Sequence, residues 1–123
     1  MIRFLVAVAC CLAAWSSRAD ASSDTGHTPL VGVYKIYGGS LGDEQPPSAK
    51  DKKIMFSIEG KGARDLFNAI GPDVKDACTE GMGIRVRKRD KENISCSKSK
   101  EGGYSCNFGF DLVTGKSIGG IIC

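Results

Sequence analysis

The sequence predicts an α+β domain, a small antiparallel sheet of four to five strands with one helix packed on a face, stapled by two disulfides. Three observations carry this expectation. Short runs rich in β-branched and aromatic residues recur between glycine- and lysine-containing turns, as strands do. One segment alone switches to helical periodicity, so a single helix interrupts an otherwise all-strand order. Of the six cysteines, four lie beyond an N-terminal export signal, an even number in a chain bound for an oxidising compartment.

The export signal determines how the rest is read. Arg3 supplies a short positive region, Phe4 to Trp15 is an almost unbroken apolar run, and Ala19-Asp20-Ala21 offers the small-x-small pattern at which signal peptidase cuts. The apolar run is about 12 residues, short of the roughly 20 that span a bilayer, so no stable membrane span is expected after cleavage. Acylation at Cys10 would leave a hydrophobic segment of only about six residues and keep Cys11 to Trp15 on the mature chain, so cleavage after Ala21 is the better reading. The expected organisation is a cleaved signal over 1–21, a flexible tail over 22–28 and one disulfide-bonded globular domain over 29–123. The expected location is periplasmic or secreted, with the compact signal favouring the periplasm.

Ser22 to Thr28 is polar and short-sided, which suits a tail. Leu30 to Tyr37 is dense in β-branched and aromatic residues and reads as a first strand, ended by Gly38 and Gly39. Ser40 to Lys53 reads as a long polar loop, because Pro46-Pro47 lacks amide hydrogens and fixes the backbone. Ile54 to Ile58 reads as a second strand stopped by Gly60. In Gly62 to Ile70 the apolar residues Ala63, Leu66, Phe67 and Ile70 fall at i, i+3, i+4 and i+7, one stripe of a helix and the best candidate for the core. Gly71-Pro72 ends that helix. Asp73 to Cys78 allows one further turn, and Gly81 and Gly83 mark another. Ile84 to Arg89, Ile94 to Lys98 and Gly103 to Leu112 read as strands, the last two joined by a turn near Lys100 to Gly103. Ser117 to Cys123 reads as a last strand or tail, where Gly119-Gly120 allows close backbone approach.

A chain of roughly a hundred residues after cleavage sits near the lower limit of what burial alone stabilises, so staples are expected. The candidates are Cys78, Cys96, Cys106 and Cys123. Pairing Cys78 with Cys96 and Cys106 with Cys123 closes two loops of similar length and is the favoured connectivity. The alternative follows from the hairpin: Cys96 and Cys106 flank its turn and could face each other, leaving Cys78 to Cys123. Zinc is not expected, because the intervals between these cysteines are far longer than the close pairs of structural zinc sites. No metal and no cofactor are expected.

With 17 basic and 14 acidic residues the chain carries a net charge of +3, and the signal takes Arg3, Arg18 and Asp20 with it. That excess is too small, and too free of interleaved aromatics, for a dedicated nucleic-acid binder. Catalysis finds little support. His27 is the only histidine and falls in the tail, a poor place to hold a general base. The carboxylates Asp43, Glu44, Glu59, Asp65, Asp73, Asp76 and Asp111 form no spaced pair. Thr114-Gly115-Lys116-Ser117 resembles the end of a phosphate-binding loop, but Phe110 stands where that motif requires glycine, so it reads as a turn. Asn93-Ile94-Ser95 is a glycosylation sequon only in a eukaryotic secretory pathway.

Two surfaces could carry function. Arg85, Arg87 and Arg89 share one face of a strand and could grip a carboxylate or phosphate, or else form an ordinary solvated face. The glycine-rich stretch Gly38 to Pro47 carries Ser40 and the adjacent Asp43 and Glu44, and could meet a basic partner, though it lacks the ligand spacing of a calcium loop. The expected function is therefore a non-enzymatic, exported protein-binding module, plausible as an inhibitor or immunity-type antagonist of a hydrolase or toxin. Its partner would be another envelope or extracellular protein, met through Ser40, Asp43 and Glu44 first and Arg85, Arg87 and Arg89 second. The alternative is a structural or accessory envelope protein that binds an anionic polymer or lipid headgroup through the arginine face.

Overall fold

The computed structural model describes residues 26–123, so the segment read as an export signal and the first part of the expected tail lie outside the described residues. From Gly26 to Leu30 the chain is irregular and exposed. The elements then follow as β1 (Val31–Ser40), β2 (Asp43–Gln45), β3 (Lys53–Glu59), α1 (Gly60–Ala69), β4 (Arg85–Arg89), β5 (Ile94–Lys98), β6 (Tyr104–Asp111) and β7 (Ser117–Ile118). All pairings are antiparallel, in the order β2-β1-β3-β6-β5-β4, with β7 joining β6 beyond the end of β5. The class is the α+β one expected, but the sheet has seven strands rather than four or five. The two extra strands are short. Asp43–Gln45 is an exposed polar stretch that folds back on Gly38–Ser40, and Ser117–Ile118 makes only two pairings.

The helix starts directly after β3, at Gly60, whose φ of 67° makes the reversal that an L side chain adopts at a cost. Its predicted stripe is the core. Ala63 and Phe67 are fully buried against Ile58, Cys96 and Cys106, with Leu66, Ile70, Tyr104 and Phe108 packed around them. The register fixes what shares that face. Ile58 stands opposite Gly32 and Cys106, Cys106 opposite Cys96, and Cys96 opposite Arg87. Gly32 is required there, since an added Cβ would come within 2.5 Å of the Ser57 carbonyl oxygen.

The bonded cysteines are Cys96–Cys106 and Cys78–Cys123, which overturns the favoured pairing. The physical reason is register. The hairpin closed by the Lys100–Gly103 turn places Cys96 and Cys106 directly opposite one another on the helix side, with Cα atoms 4.0 Å apart. Equal loop length was the wrong criterion, because strand pairing brings the two sulfurs together before any loop entropy is counted. Cys78–Cys123 then ties the segment after the helix to the chain end. The expected close approach at Gly119-Gly120 is present at Gly120, where an added Cβ would lie 2.5 Å from the Phe108 nitrogen and oxygen.

The turn between β4 and β5 carries Asp90, Lys91 and Glu92 in succession at φ of 54°, 53° and 74°. None is glycine, and each pays a steric cost in the left-handed region. Lys91→Gly should therefore raise the unfolding free energy by about 0.5–1 kcal/mol, the relief being partly offset by glycine's extra unfolded-state entropy; urea denaturation measures it. The double variant Cys78→Ser/Cys123→Ser opens a loop of sequence separation 45 and should lower stability by roughly 4 kcal/mol on the chain-entropy view. Chemical denaturation of the variant against the intact protein checks this.

Candidate functional site

The three arginines project from β4 toward the helix side, and their hydrogen bonds are spent within the chain. Arg85 Nε donates to Asp73 Oδ2 at 2.7 Å and its Nη2 to Oδ1 at 3.2 Å, while Arg87 Nε donates to the same Oδ1 at 2.8 Å. Arg87 also donates through Nη1 to the Phe67 carbonyl at 2.9 Å and lies over the Phe67 ring, 4.2 Å from its centroid. Phe67 belongs to the last turn of the helix, whose free carbonyls and negative dipole end favour a cation. Arg89 donates to the Gly71 carbonyl. Gly71 leaves room for this arrangement, since an added Cβ would sit 2.9 Å from Arg87 Nη1. The group thus fastens the segment after the helix to β4.

Ser40, Asp43 and Glu44 also come together, as a hairpin rather than a loose loop. Ser40 Oγ accepts from the Asp43 amide at 3.1 Å, Asp43 Oδ1 accepts from Gln45 Nε2 at 3.1 Å, and Glu44 pairs with Lys35 at 2.5 Å. The following loop is pinned by Asp51, which accepts from the Gly39 amide at 2.8 Å and from Lys53 at 2.5 Å. The structure does not bring this hairpin and the arginine face into one site, since β1, β3, β6 and β5 separate β2 from β4 in the sheet order. The four cysteines are consumed in disulfides, and among the described residues no three His, Cys, Asp or Glu side chains gather as a metal site.

A third surface was missed. The helix covers one end of its sheet face and leaves two cross-strand rows only partly covered, with Ile54, Phe56 and Phe108 half-buried. Tyr34, Phe56 and Phe108 stand opposite one another in the first row, and Ile36, Ile54 and Phe110 in the second. Phe56 and Phe108 stack with centroids 5.2 Å apart, Tyr34 flanks Phe56 at 6.3 Å, and Phe110 meets Phe108 edge-on at 6.4 Å. Tyr34 is 67% exposed and Phe110 39%. The patch runs out to β1, whose Val31 and Val33 are exposed on the opposite face. β2 pairs with β1 only over Gly38–Ser40, so among the described residues no strand pairs with the outer edge of Val31–Tyr37. The sequence signal was parity: once the strands are aligned, every one of these residues occupies an even position.

Both arginines bonded to Asp73 hold its carboxyl well below the ordinary 3.8, down to about 2. A carboxylate depressed by native partners stabilises the fold above its unfolded pKa and loses that contribution as the pH falls through the folded one. The stability curve should therefore drop between about pH 4 and pH 2. Asp73→Asn should be less stable at neutral pH and should show a shallower fall over that window, as measured by thermal unfolding across pH.

Among the described residues no helix is long and apolar enough to cross a membrane, and the two disulfides are compatible with a periplasmic or extracellular location. Compared with protein-family models, with curated proteins and with solved structures, the chain finds no match in any of the three.

Proposed function

We infer that the domain is a protein-binding module whose contact surface is the partly covered aromatic end of the sheet together with the free edge of β1. The observation that carries this reading is exposed Tyr34 at the end of the half-buried row Phe56 and Phe108, continuous with an apolar edge strand that no strand among the described residues pairs. Apolar patches of this kind on a single domain mark interaction sites or aggregation hazards, and native edges are normally blunted by charge or cover. Here the one charge on the strand, Lys35, is neutralised by Glu44. The fitting partner is a protein that supplies an extended segment with alternate apolar side chains. Its backbone would extend the sheet at β1 and its side chains would lie on the aromatic row.

Such a rigid, stapled surface acts by occupying its partner and loses little entropy on binding. In the periplasmic or secreted setting that the sequence predicts, this suits an inhibitor or immunity-type antagonist of a hydrolase or toxin. The reading of Arg85, Arg87 and Arg89 as a polymer or headgroup site draws less support, because Asp73 already occupies two of the three guanidinium groups.

The test assays the oxidised protein against a panel of secreted cell-wall hydrolases. Tyr34→Lys/Phe110→Lys should weaken inhibition or binding by about 30-fold or more, as loss of a central aromatic anchor does. Asp43→Lys and Arg85→Glu should change it by only a fewfold. Binding that survives the aromatic variant, or that falls steeply with salt and follows Arg85→Glu, would overturn the proposal.

A further inference from the structure

On the helix-free face the sheet carries a polar row across β4, β5 and β6, and chain segments flank it. Lys88, Ser95 and Asn107 stand opposite one another across β4, β5 and β6, with Val86 opposite Ser97 in the adjoining row. Two stretches of chain flank these rows, the segment around Asp76–Ile84 and the tail Ile121–Cys123, and the Cys78–Cys123 disulfide joins them. Between them lies a cavity of about 290 Å³, near the lower end of small-ligand sites.

Asn107 lines this cavity and is only 9% exposed. Among the described residues its carboxamide makes no hydrogen bond to the protein, nor do the hydroxyls of Ser95 and Ser97 beside it. None of these polar atoms is sealed from solvent, so they face the cavity mouth, where water or an entering ligand can match them. A strand pair built only for stability would place valine or isoleucine under such a cover. The floor therefore offers two donors and an acceptor from Asn107, plus two hydroxyls, while Val86, Ile121 and Ile122 supply an apolar wall.

The charges at the rim narrow the ligand class. Lys88 lies 3.3 Å from Asp76 and 3.4 Å from Glu92. Among the described residues the only cation lining the cavity is thus engaged by two carboxylates, which disfavours an anionic guest. We propose that this cavity binds a single uncharged sugar residue, with an acetamido group as the best match. Such a group can form paired hydrogen bonds with the Asn107 carboxamide and turn its methyl toward Ile121 and Ile122. The site is on the opposite side of the sheet from the aromatic rows, so it stands or falls independently of the protein-binding reading.

The test is a ¹⁵N NMR titration of the oxidised protein with N-acetylglucosamine, glucose and glucuronate, each to roughly 50 mM, where a millimolar Kd saturates. Saturable shifts should centre on Ser95, Ser97 and Asn107 with N-acetylglucosamine, be several-fold weaker with glucose and be absent with glucuronate. Asn107→Leu should weaken binding at least tenfold. Ser95→Ala, a smaller change to the same floor, reads the site should Asn107→Leu not fold. The proposal is overturned by an absence of saturable shifts in those residues, which would leave a merely hydrated cavity. It is equally overturned by glucuronate binding as well as the neutral sugars, or by affinity unchanged in the floor variants.

Discussion

A ten-residue helix is about 15 Å long, while six strands side by side span roughly 24 Å. That mismatch shapes this molecule. The helix buries Ile58, Cys96 and Cys106 beneath Ala63 and Phe67, and Cys106 Sγ comes within 3.3 Å of the Ala63 carbonyl oxygen. It has no length left for either flank. On the β4 flank the gap is closed by polar means, with guanidinium groups laid over Phe67 and bonded to Asp73. Along the strands, too, the helix covers only the row of Ile58, Cys106 and Cys96, so the aromatic rows further along β1, β3 and β6 are only partly covered.

The same shortage accounts for the staples. A core of five buried residues removes too little apolar surface to set against the entropy of ordering about a hundred residues. Cys96–Cys106 locks the hairpin over which the helix sits, and Cys78–Cys123 holds the tail and the segment after the helix against the other face. Gly120 lets that tail approach the Phe108 backbone closely enough to stay.

Much of this was legible in the sequence where one local rule decides the outcome. The stripe Ala63, Leu66, Phe67 and Ile70 has only one reading as a helix, and the strands at Ile54–Ile58 and Ile94–Lys98 follow from β-branched content and the turns around them. What was hidden depends on register. That Tyr34, Phe56 and Phe108 align, that Arg87 lies on the same face as the helix, and that the alternative pairing of Cys96 with Cys106 prevails over the favoured one all follow from how the strands slide past one another. Composition does not encode that sliding. The arginines were read correctly as sharing a face, but Asp73 and the Phe67 carbonyl that bind them come from segments whose placement only the helix end determines. Asp43 and Glu44 looked like loop residues because a three-residue polar strand has no periodicity to betray it.

The two disulfides differ sharply in surroundings. Cys96 and Cys106 have no exposed surface, whereas Cys123 is exposed at the chain end. Thiol–disulfide exchange needs direct approach of a thiolate to sulfur, so a reducing agent meets this molecule at its tail. Loss of order under reduction is accordingly directional. The C-terminal strap is released while the helix and its hairpin remain crosslinked, leaving a trimmed domain that keeps its aromatic face but has lost one wall of the cavity behind it.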